Sequence, residues 1–126
     1  MEDRYLFKAK KTDSEEWVVG SLISMPHGGY MIDRVADSRR FRVMINPSTI
    51  CQCTGLKDKN GKLIWENDIV KINNDKVNTL ITFRDFEIIC TIPNEKYYKH
   101  RLEYDTEYEV IGNIFDNKEL LESEEK

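Results

Sequence analysis

Histidine is close to absent from this sequence: only His27 and His100 occur in 126 residues. Nucleophilic catalysis of the serine or cysteine type needs a base held against the nucleophile. His27 sits in a Pro26-His27-Gly28-Gly29 loop and His100 in a polar, aromatic run, and neither context points to such an arrangement. Cysteine is limited to Cys51, Cys53 and Cys90. An odd count with no export signal argues for free thiols. Cys51 and Cys53 share a face if they lie on a strand, which leaves two readings: a zinc site, for which C-x-C with nothing else at ligand spacing is a weak pattern, or small buried apolar side chains. No apolar run approaches the ~20 residues that span a bilayer. Met1-Glu2-Asp3-Arg4-Tyr5 places no basic segment ahead of an apolar one, so a cytoplasmic location without a membrane partner is expected. There is no glycine-rich phosphate loop ahead of a helix, no internal repeat and no low-complexity segment, and no cofactor is expected.

A broad basic excess is lacking too. The net charge is −4, made up of +1 over residues 1–53, −2 over 54–115 and −3 over 116–126. Proteins that wrap duplex nucleic acid show the opposite balance. What the chain does have is a 40% hydrophobic content beside 33% charged residues, enough for one solvated domain with a core.

The most strongly patterned segment is Thr54–Ile72. Asn60-Gly61 predicts a type I′ hairpin turn with φ > 0 at both residues. Gly55 marks a bulge or sharp bend. Glu66-Asn67-Asp68 is turn chemistry, with Asp68 an acceptor for backbone N–H groups, and Ile69-Val70-Lys71-Ile72 is strand chemistry. A hairpin, a corner and a new strand in so few residues is how SH3-like barrels turn.

These residues carry a resemblance. Thr54-Gly55-Leu56-Lys57-Asp58-Lys59-Asn60-Gly61-Lys62, Ile64, Glu66 and Asp68-Ile69-Val70-Lys71 resemble the segment TGLKDKNGKEIYEGDIVK of the YopX family of small bacteriophage and prophage proteins. The chain departs from it at Leu63, at Trp65 where tyrosine is usual, and at Asn67 where glycine is usual. Asn67 is a mild change at a position of positive φ. A second match, Tyr108 to Glu122 with Gly112 at its centre, is similar to the family's closing YEVIGNIYENPELLE. The resemblance runs nearly end to end and implies a phage or prophage setting in a bacterial host. It brings no mechanism with it.

Elsewhere Tyr5–Lys10, Trp17–Ile23 (Gly20 read as a bulge), Tyr30–Val35 and Phe41–Ile45 read as antiparallel strands, and Asn46-Pro47-Ser48 as a break. Val77–Phe83, Glu87–Ile92 and Tyr108–Ile114 read as further strands, Tyr97–Asp105 as ambiguous, and Asp116-Asn117 as the cap of a short helix, Lys118–Glu122. The expected fold is mostly β. An N-terminal antiparallel β lobe (1–48), an SH3-like small barrel (49–115) and a short C-terminal helix and tail (116–126) make up a single domain. Ile64, Ile69, Val110 and Ile114 are expected to be buried together, because the two motif regions are the best-patterned strands and a barrel must close.

Two segments mix rings with cations: Arg39-Arg40-Phe41-Arg42 and Tyr97-Tyr98-Lys99-His100-Arg101. That mixture suits single-stranded nucleic acid on a small barrel; it equally suits rings covering a barrel while the charges stay wet. Glu66 and Asp68 lie two apart, which admits a hydrolytic carboxylate pair, against the plainer reading of Asp68 as a turn acceptor. The expected function is that of a non-catalytic accessory protein, without a metal, that binds a host or phage protein as a homo-oligomer through Arg39, Arg40, Arg42, Tyr97, Tyr98, Lys99 and Arg101. The alternatives are a module for single-stranded nucleic acid or a nucleotide, and a small hydrolase.

Overall fold

The computed structural model describes residues 5–73, 78–84, 87–91, 100–101 and 107–121. Among these residues eleven strands follow one another: β1 (Phe7–Lys10), β2 (Trp17–Ser24), β3 (Tyr30–Ala36), β4 (Arg39–Ile45), β5 (Cys51–Lys57), β6 (Leu63–Trp65), β7 (Asp68–Ile72), β8 (Asn78–Arg84), β9 (Glu87–Thr91), β10 (His100–Arg101) and β11 (Tyr108–Asn113). All pairings are antiparallel among the described residues. The chain forms two compact units, Met1–Gly55 and Leu56–Lys126.

In the first unit the hydrogen-bonded order is β4-β3-β2-β1-β5. Its core is Ala9, Val18, Ile32 and Ile45, with Phe7, Leu22, Tyr30 and Ile50 packed against it. Of the alternation read from Tyr5 to Lys10, Phe7 and Ala9 do pack inward, but Tyr5 is exposed and Lys10 is buried. β2 changes partner halfway: Trp17–Gly20 pair with β1 and Ser21–Ser24 with β3. Gly20 stands at that change. It is not a bulge: a Cβ there would run into the Asp33 carbonyl oxygen, so the missing side chain lets β3 cross. The Asn46–Ser48 break is a 3-10 turn, Pro47–Thr49, inside this unit; the Asn46 carboxamide oxygen accepts from Ser48 N–H at 3.1 Å.

In the second unit, β6 pairs with the end of β5 across a tight turn, and a five-stranded sheet runs β10-β9-β8-β7-β11. Its core is Ile64, Val70, Ile81, Cys90 and Tyr108, with Leu56, Ile72, Ile88 and Val110 against it. Two of the four expected core residues thus meet here. Ile69 is fully buried but neighbours Val70 on β7, so it points to the other side, and Ile114 lies beyond β11, half-buried. β11 bulges between Val110 and Gly112. The bare backbone of Gly112 is covered by the Asn117 side chain; a Cβ there would lie 2.6 Å from Asn117 Oδ1.

The C-terminal helix is corrected to a 3-10 turn, Lys118–Leu121. Asn117 does not cap an α-helix. Its Oδ1 turns back to accept from Asn113 N–H at 3.1 Å, and its carbonyl accepts from Leu120 N–H at 2.9 Å, an i→i+3 bond. So short a segment cannot offset the cost of nucleating an α-helix.

A candidate binding surface on the β3–β4 hairpin

β3 and β4 form a regular ladder from Tyr30↔Ile45 to Ala36↔Arg39, closed by a two-residue turn. Asp37 and Ser38 hold φ of 53° and 64°, the type I′ geometry that matches strand twist. Directly opposed residues share a face. One face therefore carries Tyr30, Ile32 and Arg34 beside Ile45, Val43, Phe41 and Arg39. Ile32 and Ile45 belong to the core, but the same stripe continues outward past it. There Arg34, Phe41 and Val43 meet Lys11, Glu16, Trp17 and Val18 around a cleft of about 310 Å³. The Lys8 and Lys10 ammonium groups lie 4.6 and 5.4 Å from the Trp17 ring centre. Lys10, itself buried, is paired with Glu15 at 2.9 Å, and Lys11 with Glu16 at 3.0 Å.

The second face carries Met31, Asp33 and Val35 beside Met44, Arg42 and Arg40. Both arginine Nε atoms lie 3.6 Å from Asp33 Oδ1, too far for a hydrogen bond. The guanidinium groups are largely in solvent, where such a pairing contributes little. Val35 (66% exposed), Phe41 (43%) and Met44 (44%) bring apolar surface to the same hairpin. The run Arg39–Arg42 is therefore split by the pleat, Arg39 with Phe41 on one face and Arg40 with Arg42 on the other. Arg34, Trp17 and Lys11 join the site without having been singled out in the sequence; the signal for Arg34 was its place two residues after the core residue Ile32. Tyr97, Tyr98 and Lys99 lie outside the described residues, as does the side chain of Arg101, whose backbone in β10 pairs with Ile89 of β9.

The patterned segment does different work. Asp58 is buried, and its Oδ1 accepts from Asn60 and Lys62 N–H, both at 2.9 Å, while Oδ2 accepts from Val110 N–H at 2.9 Å. Gly61 N–H donates to Asp58 O at 3.0 Å. Only Gly61, at φ 83°, is left-handed here; Asn60 is not, which corrects the type I′ expectation. Aspartate at the first position and glycine at the fourth describe a type I turn ending in a left-handed glycine, a common three-residue hairpin loop. At the next corner Asn67 holds φ 74° and Asp68 Oδ2 accepts from Trp65 N–H at 2.8 Å. Asn67 N–H donates to Ile81 O, and its carbonyl accepts from Ile114 N–H. Gly55, at φ 85°, bends β5 as expected.

The YopX protein family model matches residues 6–122. The chain belongs to the YopX family. The solved structure of the protein yopX from Bacillus subtilis is similar to it, with a TM-score of 0.61 and 22% identity over 94% of this chain and 99% of that one, a likeness of fold. No curated protein matches.

The residues on which the YopX resemblance rests are mostly engaged by the fold. Asp58, Gly61, Asp68 and Gly112 each serve a turn, a bend or a close contact. Of the two carboxylates read as a candidate pair, Asp68 is buried and accepts from Trp65 N–H in its corner, while Glu66 is half-buried. The thiols of this YopX chain are free and buried, Cys51 and Cys53 in the first unit and Cys90 in the core of the second. Burial pushes the Cys90 thiol up to about 12, so it stays protonated at neutral pH. Among the described residues no group of three His, Cys, Asp or Glu side chains could hold a metal ion.

Proposed function

We propose that this YopX-family chain is a non-catalytic binding module that presents the β3–β4 hairpin to a macromolecular partner in the bacterial cytoplasm, as an oligomer in a phage or prophage setting. The observation that carries this reading is the hairpin itself. Its arginines are exposed on both faces beside Phe41, Val35 and Met44, and none of these side chains is needed to close a core. Arginine and aromatic side chains are enriched among interface hot spots because they bury large area while keeping a polar handle.

The test is an Arg39→Ala, Arg40→Ala, Arg42→Ala variant with an unchanged melting temperature. It is expected to lose capture of a partner from host lysate; full retention would move the contact surface away from the hairpin. Sedimentation across a concentration series checks the oligomer. A second reading, single-stranded nucleic acid, is favoured by Phe41 standing opposite Arg34 and on the same face as Arg39. It predicts binding that falls steeply with salt as phosphate contacts release counterions, whereas a protein contact centred on apolar surface depends on salt far less.

A further inference from the structure

We propose that the open edge of β4 receives an extended acidic segment of a partner protein, which adds to the sheet as one more strand. This rests on the hairpin being the contact surface and specifies what it contacts.

β4 is the last strand in its order. The end of β1 reaches alongside it at one bridge, Lys11↔Ile45, where Asn46 N–H donates to Lys10 O at 2.8 Å and Thr12 N–H donates to Met44 O at 3.2 Å. The chain then turns away through 12–15. A ladder is opened on this edge and left after one rung. Backbone groups in an antiparallel strand alternate between its two edges. Since Met44 faces Thr12, the N–H and C=O groups of Arg42 and Arg40 face the same edge, beyond the point where the chain leaves it. Among the described residues no strand pairs there. A row of such groups is what strand addition uses, main-chain bonds giving affinity and alternate side chains giving specificity.

The side chains say which strand fits. A second copy of β4 is a poor occupant, because it would bring Arg39, Arg40 and Arg42 against their own counterparts, and opposed like charges destabilise a pair. A residue opposite Phe41 or Val43 would lie on the cleft face, over Val18 and Trp17; an apolar side chain fits. A residue opposite Arg40 or Arg42 would meet guanidinium groups that share the single carboxylate of Asp33; a glutamate or aspartate fits, and can be held by two parallel bonds. A residue opposite Arg39 would meet a cation without an ion pair among the described residues, and again an acid fits. Running antiparallel to β4, as Lys11 does, the partner reads apolar, acid, apolar, acid, acid from its N- to its C-terminal end.

The experiment uses a fluorescein-labelled synthetic peptide whose core reads leucine, glutamate, leucine, glutamate, glutamate, titrated with the full chain and followed by anisotropy. Saturable binding is expected, weakened about tenfold or more by Arg40→Glu with Arg42→Glu at unchanged melting temperature. The same peptide N-methylated on the alternate amides that face β4 is expected to bind about tenfold more weakly as well, since its charges are intact and its ladder is not. No binding of the unmodified peptide, equal binding of the N-methylated one, or stronger binding of oligothymidylate overturns strand addition. Loss of partner capture by the arginine variants, with no binding of the peptide, would overturn it too and leave the contact surface standing.

Discussion

Asp58 ties a turn to a strand that follows it much later in sequence, through three backbone N–H groups. Burial raises its carboxyl, but the bonds from Val110, Lys62 and Asn60 and the charge of Lys62 together outweigh this and hold it below its ordinary value. A carboxylate lowered on folding stabilises the folded state above its unfolded value, and that contribution is lost as pH falls through the folded one. Asp58→Asn keeps the shape and sets an amide NH₂ or a weaker acceptor against those donors. It is expected to lose on the order of 1–3 kcal/mol at neutral pH in urea denaturation, and to flatten the fall in stability below about pH 4. Gly61→Val tests the other half of the turn. A Cβ at Gly61 meets nothing within 4 Å, so the penalty comes from φ alone. About 1–2 kcal/mol is expected, with Gly61→Asn closer to wild type in thermal melts. In the sequence the position of this turn was visible and its type was not. Asn-Gly announces a two-residue loop, but an aspartate two places earlier captures the backbone and makes a three-residue one.

At the scale of the element, the β3–β4 hairpin reverses that lesson. Its turn, Asp37-Ser38, is the true type I′ loop, with neither asparagine nor glycine in it. The ladder on either side supplies the registry, and a left-handed serine is the cost. Ser38→Gly relieves it, and a rise in melting temperature, worth on the order of 0.5–1 kcal/mol, is the expected outcome. Gly20→Ala should act in the opposite direction, because the Asp33 carbonyl must move to admit a methyl group; a melting temperature equal to wild type would show that β3 yields freely. Strand-forming composition and alternation were enough to place β1 to β4, β7 to β9 and β11. They could not show that β2 changes partner at Gly20, since that crossing depends on β3, or that the β3–β4 register sets the Asp33 carboxylate beside both Arg40 and Arg42.

For the whole molecule, the described residues form two core clusters, one in each unit, and only Ile64 and Val110 of the four residues expected to be buried together meet in one of them. Apolar periodicity marks residues as buried without saying which others they meet, so Ile69 and Val70 look alike in sequence and face opposite ways on β7. The two units also divide the sulfur. Cys51 and Cys53 belong to the first unit and Cys90 to the second, all three shielded from solvent. A thiol reagent can reach them only when the fold opens, so the molecule carries a built-in clock for each unit. Under native conditions Cys51 and Cys53 are expected to be alkylated together and Cys90 at its own rate, read by quenched mass spectrometry. A common rate for all three would show that both units open as one cooperative body, and the order of labelling shows which of them lets go first.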